Sequence, residues 1–171
     1  MRKILLFRHG KSSWSDPDQE DMDRPLNGRG RMASALMGAW MSEIGVTEAL
    51  VLLSPALRAV QSWERAAANM SGKFKTETDK ALYMADPKTM LKVIQGASKK
   101  AETLIVVGHQ PSMSAFARKL TGGKASGGCR RAFEKFPTGA VAVLGVEKDD
   151  WSKLDFGDAE FLDFATPKDL V

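Results

Sequence analysis

Lys3-Ile4-Leu5-Leu6-Phe7-Arg8-His9-Gly10 decides the fold. Four consecutive apolar residues sit between charged ones, too short a run for a helix and without the alternation of a half-buried strand. Such a run reads as a buried strand. It stops abruptly at Arg8-His9-Gly10, and two later stretches behave in the same way. Ala49 to Leu53 runs into Ser54-Pro55-Ala56-Leu57-Arg58, and Thr103 to Val107 into Gly108-His109-Gln110-Pro111.

Helical periods follow. Met32, Leu36, Met37, Trp40 and Met41 recur at helical spacing over Gly28 to Glu43. Pro55 opens a helix over Ala56 to Met70, because proline suits a first helical turn. Pro87 to Ala97 and Pro111 to Leu120 read as further helices, the latter ending at Gly122-Gly123. Phe74 to Thr78 and Gly139 to Val146 read as strands, and Trp151 to Phe164 as the place of an edge strand. Strands alternating with helices predict an α/β fold, a three-layer α/β/α sandwich on a mostly parallel central sheet. The length, 171 residues, suits one domain over 1–171.

Composition bounds the function. Apolar residues make up 43% and charged residues 27%, ordinary for a globular protein with a core of its own. The apolar run at the N-terminus ends after four residues, short of a signal segment, and no stretch is long enough to span a membrane. Cys129 is the only cysteine, so no internal disulfide and no thiolate zinc site can form. The expectation is a cytoplasmic protein with no membrane partner, and a monomer by default. Cys129 lies beside Arg130 and Arg131, which could activate a thiol, but a loop position is the plainer reading. A net charge of +4 favours anionic ligands without making a nucleic-acid signature. Much of the excess lies between Arg118 and Lys135. That segment reads as a solvated loop or, alternatively, as a docking surface for a phosphorylated partner.

The chain has two histidines, His9 and His109, and both stand at predicted strand ends. Ligands of α/β sheets bind at the carboxyl ends of strands. Arg8 and Arg58 stand there too. Arginine presents a planar fork of donors that matches phosphate oxygens. A neutral imidazole offers a nucleophilic nitrogen. Together they suit phosphoryl transfer, which needs positioning and charge stabilisation above all. Gly10 would let the backbone turn or approach a ligand. Helix starts at Pro55 and Pro111 would aim free amides at an anion. No phosphate-binding P-loop, dinucleotide fingerprint, metal-ligating pattern or serine-hydrolase elbow occurs. No metal and no cofactor are expected.

The ordered set Leu6-Phe7-Arg8-His9-Gly10-Lys11-Ser12, Asp23-Arg24-Pro25-Leu26 with Gly28 and Gly30, Ser54-Pro55-Ala56-Leu57-Arg58-Ala59, Leu82-Tyr83, Val107-Gly108-His109-Gln110-Pro111 and Phe136-Pro137-Thr138-Gly139 resembles the histidine phosphatase superfamily, also called phosphoglycerate mutase-like. Within it the chain looks like the short SixA-type phosphohistidine phosphatases. The resemblance implies that His9 becomes phosphorylated and that Arg8, Arg58 and His109 complete the phosphate pocket. Ser15 falls where relatives often carry a phosphate-touching Asn, and is a substrate-binding candidate along with Gly10. Many relatives place a Glu as general acid shortly before the motif that here reads Leu82-Tyr83. Here Lys80 lies near that place, with Glu77 and Asp79 slightly earlier, so Asp79 is the candidate acid or there is none. An alkoxide leaving group needs an acid, whereas the imidazole of phosphohistidine does not to the same degree. The substrate expected is phosphohistidine on a protein partner. A small-molecule phosphate monoester and a phosphoprotein-binding module without turnover stand as alternatives.

Overall fold

The computed structural model describes residues 1–171. Its strands are β1 (Arg2–Arg8), β2 (Glu48–Leu53), β3 (Lys73–Thr78), β4 (Thr103–Gly108), β5 (Val141–Val146) and β6 (Ala159–Ala165). Its main helices are α1 (Gly28–Glu43), α2 (Leu57–Ala67), α3 (Pro87–Gln95) and α4 (Ser112–Leu120). The six strands form one sheet in the order β3-β2-β4-β1-β5-β6. β3, β2, β4 and β1 run parallel, and β5 lies antiparallel to both its neighbours. The mostly parallel sheet expected from the apolar runs is the one observed. β3 forms one margin, paired only with β2, and its residues other than Phe74 are exposed.

β1 explains the layering. Its side chains alternate between faces, as a strand's must. Ile4 and Leu6 join a core with Leu91 of α3 and Phe116 of α4. Leu5 and Phe7 join a second core with Met37 and Met41 of α1 and Trp63 of α2. All four are fully buried, each such burial being worth roughly 1.5–3 kcal/mol. Helices on both faces of the sheet make the three-layer α/β/α sandwich. Gly38 sits mid-helix in α1 because a Cβ there would meet the carbonyl oxygen of Ala66 at 2.1 Å. The lost helix propensity, about 1 kcal/mol, permits α1 and α2 to cross closely.

Boundaries shift modestly. The helix expected over Ala56 to Met70 is α2, Leu57–Ala67, and the strand expected from Gly139 begins at Val141. The edge strand expected within Trp151 to Phe164 is β6, whereas Trp151 itself occupies a short 3-10 turn. It is fully buried there, and its indole N–H donates to the carbonyl of Ala101 at 2.7 Å. No helix is long and apolar enough to cross a membrane.

Candidate active site

Adjacent strands place the two histidines side by side. β1 and β4 pair in register from Lys3 with Thr103 to Arg8 with Gly108. The next residues, His9 and His109, therefore leave the sheet at neighbouring points, with ring centroids 5.2 Å apart. β2 pairs with β4 and delivers Ser54 and the start of α2, where Arg58 is the second helical residue. Arg8, His9, Arg58 and His109 line one cavity of about 460 Å³ together with Lys11, Ser12, Trp14, Asp21, Arg24, Asn27, Met84, Gln110 and Thr138.

Hydrogen bonds determine each imidazole's tautomer. His9 Nδ1 lies 2.7 Å from the carbonyl oxygen of Gly10, which can only accept, so Nδ1 carries the proton. Nε2 is left with its lone pair, and Arg58 Nε lies 3.4 Å from it. His109 Nε2 lies 2.7 Å from Ser54 Oγ, and its Nδ1 faces Arg58 Nη2 at 3.5 Å. An arginine only donates, so Nδ1 of His109 accepts and Nε2–H donates to Ser54.

Charge favours the same neutral forms. Burial is the main cause that lowers His9 to a pKa of about 3, and its neighbours His109, Arg58 and Arg8 add to it against the opposing Gly10 carbonyl. Burial and then Arg58 lower His109 to about 4, with Asp21 opposing. Both rings are therefore neutral near pH 7, and His9 presents an unprotonated nitrogen to the cavity. Arg8 is pushed below its ordinary value by burial and by Arg58. Its Nη1 donates to the carbonyl of Phe136 at 2.8 Å, while its buried Nε has no protein partner.

The only carboxylate lining the cavity is Asp21, a residue that no sequence motif marks. Arg58 Nη2 donates to its Oδ2 at 3.0 Å and Arg58 Nη1 to its backbone oxygen at 2.7 Å. Arg24 Nη1 donates to its Oδ1 at 2.7 Å, and the Tyr83 hydroxyl to its Oδ2. The Tyr83 hydrogen bond, followed by those from the arginines, lowers Asp21 to about 2. At neutral pH it is an anion and cannot protonate a leaving group. Arg24 also donates to Ser12 Oγ and stacks 3.3 Å from the centre of the Trp14 ring. Trp14 is 77% exposed at the rim. The signal for Asp21 was the acidic run Asp16, Asp18, Glu20, Asp21 and Asp23 after the first strand. Periodicity says nothing of where such a loop folds back.

Three candidates lie differently from expectation. Ser15 is exposed outside the cavity lining, and its hydroxyl meets that of Ser13 at 2.8 Å. Asp79 is also outside, its carboxylate capping the amide of Ala81 at 2.9 Å. Gly10 is buried, and its amide donates to Ser62 Oγ at 2.9 Å instead of pointing to a ligand. A Cβ at Gly10 would meet the carbonyl oxygen of Gly30 at 2.8 Å, so helix packing accounts for the glycine. The Cys129 thiol is pushed up by burial and by Asp163, the reverse of an activated thiol. The basic segment is not one surface. Arg118 and Lys119 lie over the rings of Phe133 and Phe156, whereas Arg131 pairs with Asp169.

A neutral imidazole flanked by guanidinium groups at the carboxyl edge of a parallel sheet is an arrangement suited to phosphoryl transfer in an α/β fold. Residues 4–83 match the family model of the histidine phosphatase superfamily, branch 1. The chain is 36% identical to an uncharacterized protein of Mycobacterium leprae, over 95% of this chain and 100% of that one. It is similar to the structure of a candidate SixA phosphohistidine phosphatase of Nakamurella multipartitia, with a TM-score of 0.84, 25% identity, and 97% and 96% of the two chains covered. A protein histidine phosphatase SixA complexed with tungstate superposes with a TM-score of 0.80 over 99% of each chain; at 24% identity that likeness is one of fold. The chain belongs to the histidine phosphatase superfamily. Membership and site chemistry together support phosphatase activity.

Proposed function

We propose that the protein is a phosphohistidine phosphatase that works through a phosphorylated His9. The observation that carries the reading is His9 itself, buried, neutral, and with an unprotonated Nε2 that accepts only a long hydrogen bond from Arg58 Nε at 3.4 Å. Arg8 and Arg58 receive the phosphoryl oxygens, and the Arg8 Nε without a protein partner is a donor ready for one. His9 Nε2 attacks phosphorus in line, a new P–N bond forms, and the substrate's P–N bond breaks. The substrate imidazole keeps the electron pair of the broken bond and leaves neutral when its other nitrogen carries a proton. As positive charge grows on the His9 ring, Nδ1–H strengthens its hydrogen bond to the Gly10 carbonyl. Water then attacks phospho-His9, releasing inorganic phosphate and restoring the imidazole. His109, neutral before substrate binds, takes a proton from solvent as the dianion arrives, donates from Nδ1 to a phosphoryl oxygen, and returns the proton to solvent when phosphate leaves. The guanidinium groups supply the charge stabilisation that a metal supplies in other phosphoryl-transfer sites.

The carboxylates near the site bear on the substrate class. Asp79 is spent on a cap, and Asp21 is held ionised near a pKa of 2. With no carboxylic acid poised for an alkoxide, the site favours a phosphoramidate, whose imidazole departs with less need of such help. The similarity to the candidate SixA phosphohistidine phosphatase of Nakamurella multipartitia, at 25% identity, supports the same substrate. The test is rapid quenching after mixing with labelled phosphohistidine or a labelled alkyl phosphate monoester. Expected are acid-labile, base-stable label on the protein, faster loading from phosphohistidine, and no label on a folded His9→Ala variant. Wild-type turnover by His9→Ala would overturn the mechanism. Faster loading from the monoester would make the protein a small-molecule phosphatase instead.

A further inference from the structure

Lys11 and Thr138 line the phosphate cavity and also a second hollow of about 340 Å³, so the two adjoin. The second hollow is basic. Lys11, Lys135 and Lys168 line it, all three are exposed, and none belongs to an ion pair. Its remaining cation, Arg131, is held by Asp169 at 2.6 Å and 3.0 Å, and Asp169 is the only carboxylate in the lining. Three lysine charges therefore stand unanswered beside the reaction centre.

The trough is built onto the nucleophile's strand. The amide of Gly139 donates to the backbone oxygens of Arg8 and His9 at 3.0 Å and 2.9 Å. The carbonyl of Phe136 accepts from Arg8 Nη1. The turn Phe136-Pro137-Thr138-Gly139 thus forms part of the trough wall and is bonded to the phosphate-binding segment. A ligand lying along it is held at a set distance from His9.

We propose that this trough docks an acidic segment of a phosphorylated protein, its carboxylates on Lys11, Lys135 and Lys168 while the phosphoryl group occupies the adjoining cavity. The inference rests on the phosphatase reading above and adds the character of the partner. Lysine supplies point charges without the fork that would select one phosphate geometry, which suits a run of Asp and Glu side chains. Charge pairs at such a rim act on encounter and weaken with salt. No aromatic platform lines the trough apart from Phe164, which is buried in the core, so stacked nucleotide bases have no seat.

The experiment compares two phosphohistidine peptides of equal length, one flanked by Glu and one by Ser, with phosphoramidate as the small reference donor. At low salt the Glu peptide should show a kcat/KM about tenfold higher, carried by KM, and the advantage should vanish near 0.5 M salt, where the Debye length falls to roughly 4 Å. The double variant Lys135→Glu/Lys168→Glu should lose the preference, while phosphoramidate turnover certifies its intact chemistry. Equal use of both peptides by the wild type, or a preference that survives in the double variant, would overturn the docking inference. Wild-type protein that leaves phosphoramidate and both peptides unhydrolysed would overturn the phosphatase reading instead.

Discussion

Acidification from pH 6.5 to 4.5 tests whether the site holds its histidines neutral. Unfolded, each imidazole has the ordinary value of 6.5; folded, His9 lies near 3 and His109 near 4. The sign follows from proton binding. Through this window the unfolded chain takes up protons that the folded chain refuses, so stability falls as pH falls. Integrating over two pH units gives a loss of about 2 kcal/mol from each histidine, about 4 kcal/mol together. The window is clean for two reasons. The chain has no other histidine, and the strongly shifted carboxylates Asp21 and Asp169 change from 3.8 to about 2, below it. Urea unfolding followed by tryptophan fluorescence at the two pH values measures the difference. A His9→Gln/His109→Asn variant should be nearly flat across the window. If that variant loses stability as steeply as the wild type, the histidines are not the groups refusing protons. The neutral nucleophile would then lose its physical basis.

Ser54→Ala leaves the buried Nε2–H of His109 without its acceptor, at a cost of about 1–3 kcal/mol in stability. It also frees the ring to rotate, so kcat on a small phosphoramidate should fall about tenfold; an unchanged kcat would remove His109 orientation from the mechanism. Asp21→Asn removes the anion held by Arg58 and Arg24. The Asp21 side chain is 46% exposed and its pairs are screened, so inorganic phosphate should inhibit only about fivefold more tightly. An unchanged inhibition constant would mean that Asp21 does not compete for the phosphate seat.

The centre of the sheet was legible because β1, β2 and β4 are short apolar runs that end in polar residues, and the chain's two histidines fall on two of those ends. That pattern brought Arg8, His9, Arg58 and His109 together without tertiary information. Loop geometry was not legible. Asp21 reaches the arginines because its segment folds back over the start of α2, and no periodicity governs that path. Ser15 was placed by position in a motif, but the chain turns its hydroxyl toward Ser13. Asp79 has the right chemistry for an acid, yet a capping bond to Ala81 uses its carboxylate locally. Such short-range bonds compete with function at Asp and Ser positions throughout loops.

The margin at β3 has a bearing on how the protein behaves in concentrated solution. A strand with one neighbour leaves a row of amides and carbonyls facing outward, a template on which another chain could add. Here that row is Lys73-Phe74-Lys75-Thr76-Glu77-Thr78, nearly all of it exposed. A second copy aligned in parallel would bring lysine against lysine and glutamate against glutamate. Like charges directly opposite one another disfavour pairing. Charge thus weighs against the parallel mode of pairing at this open edge, and does so only while ionic strength leaves it unscreened.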